Sequence, residues 1–138
     1  MHSTNSPILV VEDDDVDAMT IRRALKAIDV VNPLVMAEQG EAALSYLNEP
    51  GSAAPCIILL DLNMPIMNGL EFLRHVKQHE HLRRIPVVVL TTSEEQQDKL
   101  ASFDLGAAGY LPKCRDYGHF VEIMRTWDQY WTLSDTPN

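Results

Sequence analysis

The chain is poor in positive charge and in cysteine and has no long apolar run, and each shortage removes a class of protein. Against 20 Asp and Glu its 138 residues carry 11 Lys and Arg, a formal net charge of −9. That balance works against direct nucleic acid binding, because a phosphate backbone demands cationic surface. The basic pair Arg83 and Arg84 reads as part of a solvated loop before a strand. No segment approaches the roughly 18 apolar residues of a membrane span, and MHSTNSP is neither basic nor followed by a secretory core, so a cytoplasmic location away from membranes is expected. Of the two cysteines, Cys56 opens one candidate strand and Cys114 follows the end of another. Parallel strands would set them at opposite sheet edges, too far apart for a disulfide, and both fit a reducing compartment. Neither has zinc or redox spacing. A strand-linked GxGxxG and a GxxxxGK[ST] loop are missing too, which argues against a dinucleotide enzyme or a P-loop NTPase. There is no internal repeat, low-complexity tract or interdomain linker, and the length suits one domain without a separate output domain.

What is present is a regular alternation. Apolar strand candidates run through Ile8–Val11, Leu34–Ala37, Ile57–Leu60, Val87–Leu90 and Ala108–Leu111, and helical patterns occupy Val16–Ile28, Glu41–Leu47, Gly69–His79, Glu94–Phe103 and Tyr117–Trp131. In the first helix Ile21, Ala24, Leu25 and Ile28 share one face, with Met19 off it. Strands apolar on both faces, each followed by a helix, predict an α/β fold: a doubly wound five-stranded parallel sheet with helices on both faces. Functional groups in such a fold gather outside the carboxyl ends of the strands.

Those ends carry the chemistry. CIILL closes on Asp61, and ILVV is followed by Glu12, Asp13, Asp14 and Asp15. Two strand ends bringing carboxylates to one rim would form a divalent cation site, with Mg²⁺ the natural occupant because it prefers hard oxygen ligands and keeps exchangeable waters. IPVVVL delivers Thr91 and Thr92, and AAGYL is followed by Lys113. Taken singly, the acidic quartet is a solvated helix start in which Asp14 serves as a cap, Thr91 is a strand residue and Lys113 a surface lysine. Asn68 and Gly69 shape the turn before a helix.

Four ordered segments, VVEDDD, LLDLNMPIMNG, VVLTTS and GAAGYLPK, resemble the signature segments of bacterial response-regulator receiver domains. NPLVMAEQGEAALSYL, LRRIPVVVLTTS and the aromatic tail further resemble stand-alone regulators paired with phytochrome-type histidine kinases. The resemblance implies a flavodoxin-like strand order 2-1-3-4-5, with a receiver domain over residues 8–131 and flexible ends at 1–7 and 132–138. It also implies that Asp61 accepts a phosphoryl group from a kinase histidine. Glu12, Asp13, Asp61 and the backbone carbonyl of Asn63 would hold Mg²⁺, the Thr91 hydroxyl and Lys113 ammonium would contact the phosphoryl group, and Tyr110 would reorient with Thr91. Tyr110 also reads as a half-buried packing residue. The chain departs from the family at Lys113-Cys114, where a proline usually follows the lysine through a cis peptide; a non-proline cis bond costs about 2.5–4 kcal/mol.

The expected function is a phosphoacceptor and not a turnover enzyme. Two other classes stay open: a magnesium phosphohydrolase, disfavoured because Asn63 stands where a DxD motif needs its second acid, and a receiver fold acting only as a constitutive interaction module. In the tail, Tyr117, Phe120, Val121, Met124, Trp127 and Trp131 recur at helical spacing, widened by Ile123 and Tyr130. Most of this face reads as core. The surplus suggests a homodimer through the fourth helix, fifth strand and fifth helix, with Arg125 and Asp128 at its rim.

Overall fold

The computed structural model describes residues 6–62, 68–91, 101–113 and 116–133. Strands β1 (Ile8–Val11), β2 (Leu34–Ala37), β3 (Ile57–Leu60), β4 (Val87–Thr91) and β5 (Gly109–Pro112) form one sheet in the order β2-β1-β3-β4-β5. Every pairing is parallel, as the uninterrupted apolar strands predicted. The helices are α1 (Asp15–Ala27), α2 (Gly40–Asn48), α3 (Gly69–Gln78) and a C-terminal helix, Tyr117–Leu133, which runs two residues past the expected end. Of the helix expected at Glu94–Phe103, residues 101–104 are helical and 92–100 lie outside the described residues.

Strand alternation sorts the interior into two layers. Leu9, Val11, Ile58, Leu60, Val87 and Val89 pack with Ala43, Phe72, Leu73 and Val76 of α2 and α3. Their neighbours Ile8, Val10, Ile57, Leu59, Val88 and Leu90 pack with Ile21, Ala24 and Leu25 of α1 and with Phe120, Val121 and Met124 of the C-terminal helix. Both strand faces are therefore buried, which is why β1 and β3 read as continuous apolar runs. The C-terminal helix lies close against β5 because Gly109 has no side chain: a Cβ there would come within 3.1 Å of Trp127 Nε1. Arg23 of α1 stacks over the Tyr117 ring, 4.9 Å from its centroid, tying the two helices of that layer together.

Three helix starts are capped by side chains. Asp14 Oδ1 accepts from the amides of Val16 (2.8 Å) and Asp17 (3.0 Å), which gives Asp14 the capping role its position suggested. Asn68 Oδ1 accepts from the Glu71 amide at 2.9 Å while its Nδ2 donates to Glu71 Oε1 at 3.0 Å. Asp116 Oδ1 accepts from the Gly118 amide at 2.9 Å. Arg83 and Arg84 are exposed, as is Met19.

The amino-terminal edge of the sheet is closed by neutral groups. Asn32, 5% exposed, donates from Nδ2 to the Ser6 carbonyl at 2.9 Å and lies 3.8 Å from Cys56 Sγ. Cys56 is a free, buried thiol, pushed above its ordinary pKa by burial. Cys114 lies outside the described residues.

Candidate functional site

Parallel register sets the heights of the groups at the opposite edge. Val11 of β1 pairs with Leu60 of β3, so Glu12 and Asp61 leave their strands at one level; the Asp61 amide donates to the Val11 carbonyl at 3.0 Å and the Glu12 amide to Ala37 at 2.9 Å. Thr91 pairs with Pro112, so Lys113 emerges just beyond the end of β4. Side chains alternate along a strand, and Glu12, Asp61 and Lys113 continue the parities of Val10, Leu59 and Leu111, all in the layer of α1 and the C-terminal helix. The pleat thus aims all three at the start of α1.

They meet there. The Lys113 ammonium, with its side chain 11% exposed, donates to Glu12 Oε1 through a short bond and to Asp17 Oδ2 at 2.9 Å, and it stands 3.6 Å from Asp61 Oδ1. Glu12 and Asp61 are buried, 3% and 5% exposed, whereas Asp13 is exposed. One carboxylate oxygen from each of Glu12, Asp13 and Asp61 falls within 4.8 Å of the others. Three hard oxygen donors so close, one of them open to solvent, are a set that could hold a divalent cation, and the observed distances fit the group expected from the sequence.

Burial raises the Glu12 pKa to about 7, and the Asp61 charge adds to that rise, while the hydrogen bond and charge of Lys113 oppose it. Burial alone would lower Lys113, but its hydrogen bonds to Glu12 and Asp17 and the charges of Glu12 and Asp61 hold it above the ordinary lysine value. The ammonium is therefore firmly charged and locked among carboxylates.

Behind Asp61 the backbone leaves no slack. A Cβ on Gly69 would lie 2.6 Å from the Asp61 carbonyl oxygen and 2.5 Å from Leu62 Cα, so only glycine lets α3 begin this close to the phosphoacceptor candidate. The Gly69 amide donates to the Leu62 carbonyl at 3.0 Å. Tyr110 of β5 is half-buried against the α2 and α3 layer.

The structure thus brings together Glu12, Asp13, Asp61 and Lys113 among the residues singled out by sequence. Asn63, Thr92 and the Lys113-Cys114 peptide lie outside the described residues, and Thr91 is described by its backbone alone. Sequence reasoning missed Asp17. On a capped helix it reads as a first-turn acid, and the available signal was its place three residues after the cap Asp14, in the turn of α1 that opens at the rim.

Leu111 of β5 and His119, Glu122, Ile123, Thr126 and Trp127 of the C-terminal helix line an open, mainly apolar groove of about 520 Å³. Arg125 pairs with Glu122 of its own helix. The side chains of Tyr130 and Trp131 lie outside the described residues, and no described helix is long and apolar enough to cross a membrane.

Known proteins resemble this chain in sequence and fold. The profile of the response regulator receiver domain matches residues 8–125. Response regulator Rcp1 of Synechocystis sp. is 38% identical over 128 residues, covering 90% of this chain and 87% of that one. The phosphorylated cyanobacterial phytochrome response regulator RcpA superposes with a TM-score of 0.88 at 32% identity, over 97% of this chain and 99% of its own. The Mn²⁺-bound form of Rcp1 superposes with a TM-score of 0.86 at 36% identity, over 96% and 99%. With its sheet order, its acidic rim and a profile match over most of its length, the chain belongs to the response regulator receiver domain family.

Proposed function

We propose that Asp61 accepts a phosphoryl group from a phosphohistidine on a partner histidine kinase, of the kind that serves phytochromes, and that the resulting acyl phosphate changes a protein-binding surface. The observation that carries this reading is a buried carboxylate, Asp61, with an ammonium 3.6 Å away and two further carboxylates around it. An Asp61 oxygen attacks phosphorus as the N–P bond breaks and its electron pair returns to the imidazole, so the protein is a phosphoacceptor rather than a turnover enzyme. When bound by Glu12, Asp13, Asp61 and the Asn63 carbonyl, Mg²⁺ supplies the charge that offsets repulsion between the rim and the incoming oxygens. Lys113 neutralises a phosphoryl oxygen, and Gly69 keeps the Asp61 backbone in place for the attack. The Thr91 hydroxyl accompanies the phosphoryl group and couples it to Tyr110, which links the rim to β5. Water later hydrolyses the acyl phosphate and resets the site.

The output surface in this reading is the C-terminal helix with β5, whose apolar groove and aromatic tail suit a homodimer. The similarity to RcpA and Rcp1, named as a phytochrome response regulator and a response regulator, supports the choice of kinase class.

Incubation with acetyl phosphate and Mg²⁺, followed by intact mass measurement, tests the chemistry. A gain of one phosphoryl group that is absent from Asp61→Asn is expected. A chain that gains none from acetyl phosphate or from a phosphorylated kinase is a receiver fold used as a constitutive interaction module. Sedimentation of the unmodified and phosphorylated protein tests the dimer separately.

A further inference from the structure

Lys113 makes its direct hydrogen bonds to Glu12 and Asp17, while Asp61 stands farther off at 3.6 Å. Glu12 is a buried member of the cation-binding set, so its bond to Lys113 lies within the site. Asp17 differs. It belongs to α1, its amide is already committed to the Asp14 cap, and its carboxylate is 41% exposed. Nothing in the packing of α1 requires an acid there, because the buried positions of that helix are Ile21, Ala24 and Leu25. Its Oδ2 nonetheless sits 2.9 Å from the Lys113 ammonium, beside a small cleft lined by Asp17, Thr20, Ile21, Lys113 and Phe120.

We infer that Asp17 is a positioning residue that holds the Lys113 ammonium in the unphosphorylated protein and competes with the phosphoryl group for it. An ammonium has three donors in tetrahedral array. With one on Glu12 and one on Asp17 a third donor remains, but these two bonds anchor the nitrogen 3.6 Å from Asp61 Oδ1, so closing onto a phosphoryl oxygen there draws the ammonium off the more exposed Asp17. The inference rests on the reading of Asp61 as phosphoacceptor. It predicts an asymmetry: the Asp17 bond is present before transfer and lost after it, so Asp17 slows phosphorylation without affecting hydrolysis of the acyl phosphate.

The test uses the whole chain. Asp17→Asn should raise the phosphorylation rate by acetyl phosphate with saturating Mg²⁺ by roughly two- to five-fold, equivalent to about 0.4–1 kcal/mol at 1.36 kcal/mol per tenfold. Its dephosphorylation rate should stay within about two-fold of the parent. In a Lys113→Ala background the same substitution should have no effect, and Asp17→Glu, which can still reach the ammonium, should restore the slow rate. An acceleration that persists without Lys113 overturns the inference and reveals simple relief of repulsion towards the anionic donor. Hydrogen exchange of the Lys113 ammonium, followed by NMR on unmodified protein, provides a readout independent of phosphorylation. Faster exchange in Asp17→Asn is expected, and unchanged exchange overturns the hold by itself. A parent protein that takes up no phosphoryl group overturns the reading of Asp61 and the competition with it, whatever the exchange rates show.

Discussion

The two edges of the sheet bury polar groups in opposite ways. At the amino-terminal edge Asn32 and Cys56 are neutral and lean on the Ser6 carbonyl. At the carboxyl-terminal edge Glu12 and Asp61 are buried carboxylates with oxygens within 4.8 Å of each other and of Asp13, and the Lys113 ammonium pairs with Glu12, Asp17 and Asp61. Two full unit charges at that spacing would repel by about 3–4 kcal/mol at an effective dielectric constant of 20, and burial together with the Asp61 charge raises Glu12 to a pKa of about 7, so that repulsion is complete only above that pH. The first edge is arranged for stability. The second carries a charge imbalance that lowers stability, and such an imbalance persists where chemistry requires it. Substitutions at the two edges should therefore move stability and phosphorylation in different directions.

The largest effect falls on Asp61→Asn. Mass measurement should find no acyl phosphate, because the amide keeps the shape and loses the nucleophile. The same change removes one of four crowded charges, so without divalent cations the variant should melt at a higher temperature, by the equivalent of about 1–2 kcal/mol. A lower melting temperature would mean that the acidic edge stabilises the fold and would erase the contrast between the edges. Next is Gly69→Ala, whose Cβ must displace the Asp61 carbonyl or Leu62. A loss of about 2–3 kcal/mol in urea unfolding is expected, together with slower phosphorylation, because this substitution damages fold and site together. Asp13→Ala should then weaken Mg²⁺ binding about tenfold or more, about 1.4 kcal/mol, with little change in cation-free stability because Asp13 is exposed. Isothermal titration reads this directly.

The contrast between the edges was only half legible in the sequence. Strands buried on both faces announce themselves as unbroken apolar runs, so β1 and β3 were placed to the residue, and an acid directly after such a run marks the rim. Glu12, Asp61 and Lys113 were found that way, because each follows its strand at once or after a single residue. Asp17 was not, since its contact with Lys113 spans 96 positions and depends on how α1 lies across the sheet. The boundary of β5 fell one residue later than expected: Pro112 cannot donate to a ladder, but on an edge strand that donor is dispensable. The need for glycine at position 69 was visible as turn chemistry, whereas its cause is a close approach of two backbones that no local pattern encodes.

The neutral edge was also hidden, and it supplies the smallest and most discriminating prediction. Asn32 stands before Pro33 with no local pattern to single it out, yet it is 5% exposed, and its side-chain amide joins two segments that lie 26 and 24 residues away. Replacing it with Ala removes a buried donor and leaves the Ser6 carbonyl with one partner fewer, a change that typically costs about 1–2 kcal/mol. The cost arises at the end of the sheet opposite Asp61, and no charge changes with it. Asn32→Ala should therefore lower the unfolding midpoint in urea while the rate of acetyl phosphate labelling and the Mg²⁺ affinity of the folded protein stay at parental values. A variant that is destabilised and also labelled more slowly would show that the two edges are mechanically coupled through β1 and β3. In that case the separation of a stabilising edge from a reactive one would not hold.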